Sequence, residues 1–307
     1  MAAPDSPGAA APRAAGPGIG ASFCADEAPQ IAGPNAAAPE SRAAPCDSSG
    51  VHRVAALVEY EGTDFAGWQS QTHSSSVQQA VEAAVGFVAG HAIIAICAGR
   101  TDAGVHAAGQ IIHFDTRATR TPRAWVLGSN TKLPPSIAVQ WAGEVPLGFH
   151  ARHTAVRRIY RYYILNRSAR SALRRARTAW IHRPLDADAM HHAAQVLIGE
   201  HDFSAFRSIE CQSKTPVRRV QRIHVERAGD MLCLEIEANA YLHHMVRNIV
   251  GTLLAVQQDA DPAGAMLRIL AGGDRRAAGM TAPAAGLHLW RVQYPAVYGI
   301  PAPADGF

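Results

Sequence analysis

Lysine is almost missing from this chain: of its 29 basic residues only Lys132 and Lys214 are lysines, so arginine carries nearly all the positive charge. The planar guanidinium fork suits bidentate phosphate contact and stacking on bases. A GC-rich genome, which raises arginine and alanine together, accounts for the same bias. Cysteine is scarce and scattered, at Cys24, Cys46, Cys97, Cys211 and Cys233. The odd number and wide spacing argue against a disulfide framework, and no CxxC pair suggests a zinc site. A reducing, cytoplasmic location is expected. No apolar run is long enough to span a bilayer. The N-terminus lacks the charged stretch and apolar core of a signal peptide. Charged residues make up 18% and hydrophobic residues 48%, as in an ordinary globular protein. The net charge of +4 tolerates nucleic acid without demanding it.

With 307 residues there is room for one large or two ordinary domains. Residues 1–50 are rich in Ala, Pro, Gly and Ser, without apolar periodicity. Such a segment buries too little surface to offset its ordering entropy, and a disordered extension is expected. The acidic residues Asp5, Asp26, Glu27, Glu40 and Asp47 argue against a transit peptide. From Val51 onward strands and helices alternate. Arg53–Tyr60 reads as a buried strand. Ser76 and Gln79 form a capping box for a helix whose apolar positions run from Val77 to Val88, ended by Gly90. Ile93–Cys97 and Gln110–Phe114 read as strands, Thr121–Asn130 as a short helix, and Ile137–Ala142 as a strand. After Phe149 come a β-forming run at Ile159–Leu165, an amphipathic helix over Asp186–Ile198, and a hairpin of Val217–Glu226 with Met231–Ala238. A helix over His243–Gln257, a helix capped by Asp261-Pro262 and a strand over Gly286–Tyr294 complete the chain. The expected architecture is α+β: two similar subdomains, 51–148 and 149–307, built on antiparallel sheets with flanking helices and a cleft between them.

Chemistry concentrates in Gly99-Arg100-Thr101-Asp102-Ala103-Gly104-Val105-His106, a loop between two apolar strands. Its glycines permit a sharp bend and the close approach of a substrate backbone. The charge of Arg100 favours the ionised form of the adjacent Asp102, and an ionised, partly desolvated carboxylate on a rigid loop can act as a nucleophile. Taken alone, the same residues also describe a surface ion pair or a turn cap.

This segment, continuing through Gly109–Thr116, closely resembles the active-site region of the TruA family of tRNA pseudouridine synthases. The resemblance extends to Glu59–Gln69 (EYEGTDFAGWQ), Phe149–Arg152 (FHAR), Tyr160–Tyr162 (YRY), Cys211–Pro216 (CQSKTP), Asn239–Asn248 (NAYLHHMVRN) and Ala285–Leu287 (AGL). These segments stand in family order from about residue 52 to about residue 296. The N-terminal extension lies outside the pattern, and Met280 stands where a proline is common.

The resemblance implies a pseudouridine synthase fold and isomerisation of uridines 38, 39 and 40 of the tRNA anticodon stem-loop. It implies Asp102 as the nucleophile, acting on a uridine flipped out of its stack. Arg100 is then expected to contact RNA and help replace the flipped base, Tyr160 to stack on the target uracil, and Arg247 to face the catalytic carboxylate. Phe149, His150, Ala151, Arg152 and His153 match segments that touch tRNA, as do Glu210, Cys211, Gln212, Ser213 and Lys214. Arg117, Arg120, Arg123, Arg170, Arg174, Arg175 and Arg177 would widen the positive surface. A homodimer, no metal and no cofactor are implied. Read on the residues alone, Tyr160 is equally a strand packer and Arg247 a solvated helix residue. His243 and His244 invite a metal reading, but neighbours on a helix diverge by roughly 100°, which makes them poor co-ligands. Two other functions remain open: a non-catalytic RNA-binding or tRNA-chaperone protein on the same fold, and a carboxylate hydrolase recruiting His106 or Asp115 as its second group. The spacing of His and Cys does not suit a zinc deaminase.

Overall fold

The computed structural model describes residues 50–304, so the expected disorder of the N-terminal extension lies outside the described residues. The N-terminal half opens with β1 (His52–Tyr60) and helix α1 (Val77–Ala89). It continues through β2 (Ile96–Cys97), β3 (His106–Thr116), helix α2 (Pro122–Asn130) and β4 (Ile137–Val145). The C-terminal half carries β5 (Arg157–Asn166), β6 (Ala179–Ile181), α3 (Ala187–Ala194), β7 (Gly199–Asp202), β8 (Val217–Ala228) and β9 (Met231–Ala238). Helices α4 (Met245–Val256) and α5 (Pro262–Gly272) and strand β10 (Leu287–Gln293) follow.

All these strands join one sheet in the order β4-β1-β3-β10-β5-β9-β8-β7, with β2 beside β3 and β6 beside β5. The fold is α+β, as expected, and pairing is antiparallel except between β10 and β3 and between β5 and β6. Strands on the two sides of residue 149 belong to one continuous sheet because β10, from the end of the chain, fits between β3 and β5.

Local signals hold where the side chains concerned act on their own backbone. Ser76 and Gln79 form both bonds of the capping box, and Gly90 closes α1 with a left-handed φ of 76°. Thr121 caps α2, and Asp261 caps α5 with Pro262 in its first turn. The hairpin turns at Gly229, whose φ is 59°, and pairs Ala228 with Met231. Four expectations need correction. The strand read as Ile93–Cys97 shrinks to β2, and the helix read to Ile198 gives way to a 3-10 turn at Gln195–Leu197. The helix read from His243 begins only at Met245. Strand β3 begins at His106, four residues earlier than expected, because its start is paired by β1 and β10.

Several histidines are buried in this sheet. Burial pulls His288 down to about 3 and His113 to about 4, and it lowers His106. These residues are neutral when folded at neutral pH, whereas an unfolded histidine takes up a proton near pH 6.5. Below that value the unfolded chain binds more protons, so stability is lost as pH falls from about 6.5 towards 4. Urea midpoints measured across this window are expected to drop steadily; a flat profile from pH 7 to 4.5 would contradict the burial of these rings.

Candidate active site

Asp102 sits on the segment between β2 and β3, and buried polar contacts hold that segment in place. Gln110, fully buried on β3, donates to the Gly99 carbonyl at 2.6 Å and accepts from the Gly99 N–H at 3.4 Å. The Tyr60 hydroxyl meets Thr101 Oγ1 at 2.8 Å. Gln110 Nε2 also reaches the Tyr60 hydroxyl, at 3.4 Å. The Trp68 N–H donates to the Thr101 carbonyl at 3.0 Å.

The segment Glu59–Gln69 thus forms a floor for the loop. Gly67 has a φ of 93°, and a Cβ there would lie 2.6 Å from the Thr101 carbonyl oxygen. At Gly62 a Cβ would collide with the Val105 carbonyl. Glycine is required at both places because two backbones touch.

From the other half, Arg158 on β5 reaches across to the stem of the loop. Its guanidinium donates to the carbonyls of Ala98 (3.1 and 3.3 Å), Asn239 (2.8 Å) and Arg152 (2.7 Å). Sequence reading missed this residue; an arginine in a strand carries no local mark of the carbonyls it will meet.

The Asp102 side chain is 24% exposed, and three side-chain nitrogens converge on it. Arg247 Nη1, in the first turn of α4, lies 3.4 Å from Oδ2. His243 Nε2 lies 3.3 Å from Oδ1, and His244 Nε2 lies 3.4 Å from Oδ2. Arg247 is itself aimed by a 2.8 Å bond from its Nε to the Ala282 carbonyl.

Both histidines precede the helix. His244 is its N-cap, with φ 63° and ψ 3°, the sole non-glycine residue with positive φ among the described residues. This turn, which costs a β-carbon residue on the order of 1–3 kcal/mol, brings both rings to one carboxylate with centroids 4.0 Å apart. Because both rings lie outside the helix, the divergence of helical neighbours does not separate them, and the pair is part of the site. Its sequence signal was adjacency to Arg247 in HHMVRN; the backbone kink left none. The ligand atoms of Asp102, His243 and His244 lie within 4.8 Å of one another, a spacing a cation can bridge. Arg247, however, presses a fixed positive charge on the same carboxylate.

Tyr160 lies beside the loop. Its ring packs edge-on against Tyr241 at 4.9 Å, and a Cβ on Gly99 would sit 3.8 Å from its hydroxyl. Burial, reinforced by the nearby Asp102 charge, pushes its phenol well above the ordinary value. Arg100 is exposed beside the nucleophile. In the expected RNA-contacting segments, Phe149 and Ala151 are fully buried, so His150, Arg152 and His153 form the accessible side. Glu210, Gln212 and Lys214 are exposed, with Cys211 and Ser213 half-buried. Arg207 shapes that segment through the carbonyls of Cys211 and Ser213. The two groups that a hydrolase would recruit are engaged elsewhere. Asp115 pairs with Arg53 at 2.7 Å, and His106 is buried with Nδ1 accepting the Gly62 N–H.

A family model described as tRNA pseudouridine synthase matches residues 56–154 and 193–295. This chain belongs to the TruA family of tRNA pseudouridine synthases. It is 51% identical over 249 residues to tRNA pseudouridine synthase A of Aeromonas hydrophila, covering 81% of this chain and 93% of the relative. The same protein of Legionella pneumophila is 49% identical over 248 residues, covering 81% and 95%. That of Xanthomonas oryzae pv. oryzae is 51% identical over 252 residues, covering 81% and 98%. The family matches span both the loop with Asp102 and the segment with Arg247, the two parts that the fold brings together.

Gln110→Leu strips both clamp bonds from Gly99, and leaving partly buried backbone groups unpaired costs about 1–3 kcal/mol. A lower Tm and a kcat reduced by about tenfold are expected, with tRNA affinity held. Unchanged kcat would show that the loop keeps its shape without the clamp.

Proposed function

We propose that this TruA-family chain isomerises uridine to pseudouridine at positions 38, 39 and 40 of the tRNA anticodon stem-loop, with Asp102 as the nucleophile. The observation that carries this reading is the Asp102 carboxylate, part exposed on a clamped loop, with Arg247 and two imidazoles meeting its oxygens. A protein that only bound RNA would have no use for a positioned carboxylate at a basic surface, where it repels phosphate.

The target uridine must leave its stack to meet that oxygen, at a cost of a few kcal/mol. Arg100, exposed next to the nucleophile, is suited to fill the space left behind, and Tyr160 to support the extruded uracil. Reactant and product are isomers, so the chemistry calls for no redox cofactor and no activating nucleotide. The exposed arginines Arg117, Arg120, Arg123, Arg170, Arg174, Arg175 and Arg177 extend a surface for phosphates. We further propose a homodimer across which the tRNA lies, a cytoplasmic location, and turnover independent of metal.

Asp102→Ala is expected to abolish turnover while tRNA still binds, read by pseudouridine mapping of tRNA and by filter binding; normal turnover would remove Asp102 from its role. Tyr160→Leu should lower kcat far more than tRNA affinity. A chelator should leave the rate as it is, and affinity should fall steeply between 50 and 200 mM salt.

A further inference from the structure

Pseudouridine formation breaks the C1′–N1 bond and forms a C1′–C5 bond. A proton leaves C5 and a proton arrives at N1, so atoms and electrons balance without an outside reagent. The C5 proton needs an acceptor near the place where Asp102 acts. Arg100 and Arg247 offer no lone pair. The Tyr160 phenol is held protonated by burial and by the Asp102 charge. Asp102 leaves C1′ as the C1′–C5 bond forms, and any proton it meets at C5 must still be passed on towards N1. The groups left within reach of the carboxylate are the two imidazoles, with Nε2 atoms 3.3 and 3.4 Å from its oxygens.

We propose that His243 and His244 form the proton relay of the reaction, taking the proton from C5 and supplying one to N1. The inference rests on the reading of Asp102 as the group that acts on uridine. Three independent features support it. Both rings are part exposed, at 33% and 27% of their side-chain surface. The ring centroids lie 4.0 Å apart, so the two imidazoles form one cluster beside the carboxylate. The backbone at His244 is left-handed, and strain of this kind clusters at functional sites.

The charged groups around the pair come from several elements. Asp102 faces it from the β2–β3 loop and Arg247 from α4. Glu210 acts from the segment after β7, where Cys211 Sγ also accepts the His243 N–H at 3.4 Å. For His244, burial is the largest influence, and it lowers the ring below the ordinary value of 6.5 together with His243 and Arg247, against the raising effect of Asp102 and Glu210. The neutral, accepting form therefore prevails at neutral pH and is lost as pH falls through that lowered value, so kcat should decline on the acid side.

The test uses the full chain and a tRNA transcript carrying either uridine or 5-deuterouridine at the target, in single turnover. The double variant His243→Gln with His244→Gln is expected to slow the reaction by about 100-fold or more with tRNA affinity within a few-fold. It should also reveal a primary isotope effect at C5 larger than that of the parent. Added imidazole should restore part of the rate to His244→Ala. If the double variant no longer binds tRNA, His244→Gln alone decides by the same readouts. An unchanged rate would overturn the proposal, as would a slower one with neither a C5 isotope effect nor imidazole rescue. Asp102→Ala in the same assay keeps the two ideas apart: its inactivity beside fully active histidine variants would refute the relay and leave the nucleophile standing.

Discussion

Everything in this site depends on holding one carboxylate partly out of water while positive and hydrogen-bonding groups meet both of its oxygens. An unpartnered carboxylate is costly to desolvate, so Asp102 is tolerable at 24% exposure only because Arg247, His243 and His244 converge on it. The attacking group and its partners come from opposite halves of the chain, 141 to 145 positions apart. The pairing therefore exists only when both halves are docked, and the single continuous sheet ensures that they are.

Rigidity is supplied from two directions. From the N-terminal half, Gln110, Tyr60 and Thr101 form a buried polar network under the loop. Such networks strengthen in a low-dielectric interior when all their members are satisfied. From the C-terminal half, Arg158 grips the stem of the same loop and the segments at Arg152 and Asn239. One guanidinium therefore fixes the distance between the nucleophile's loop and the strand that leads to the histidines. Pre-organisation of this kind lowers the reorganisation needed when charge shifts during reaction.

Legibility in sequence follows the range of the force involved. Capping at Ser76 and Asp261 and the helix stop at Gly90 were readable because a side chain, or its absence, acts within a few residues. The nucleophile's loop was readable too, as a glycine-bracketed Arg and Asp and as a family resemblance. The start of α4 was not. An apolar helical period continues through His243 and His244, and nothing local announces that His244 turns left-handed. That one dihedral removed the histidines from the helix and placed them on Asp102.

By itself the sequence determined the alternation of strands and helices, most element boundaries, the family and the loop that carries Asp102, because periodicity, caps and contiguous motifs are written in neighbouring residues. Tertiary structure alone decided that β10 joins the halves, that Arg158 ties the loop to β5, that Phe149 and Ala151 face inward, and that two histidines serve the carboxylate. Those outcomes come from contacts between residues far apart in the chain, whose partners are chosen by packing and by the demand that buried polar groups be satisfied.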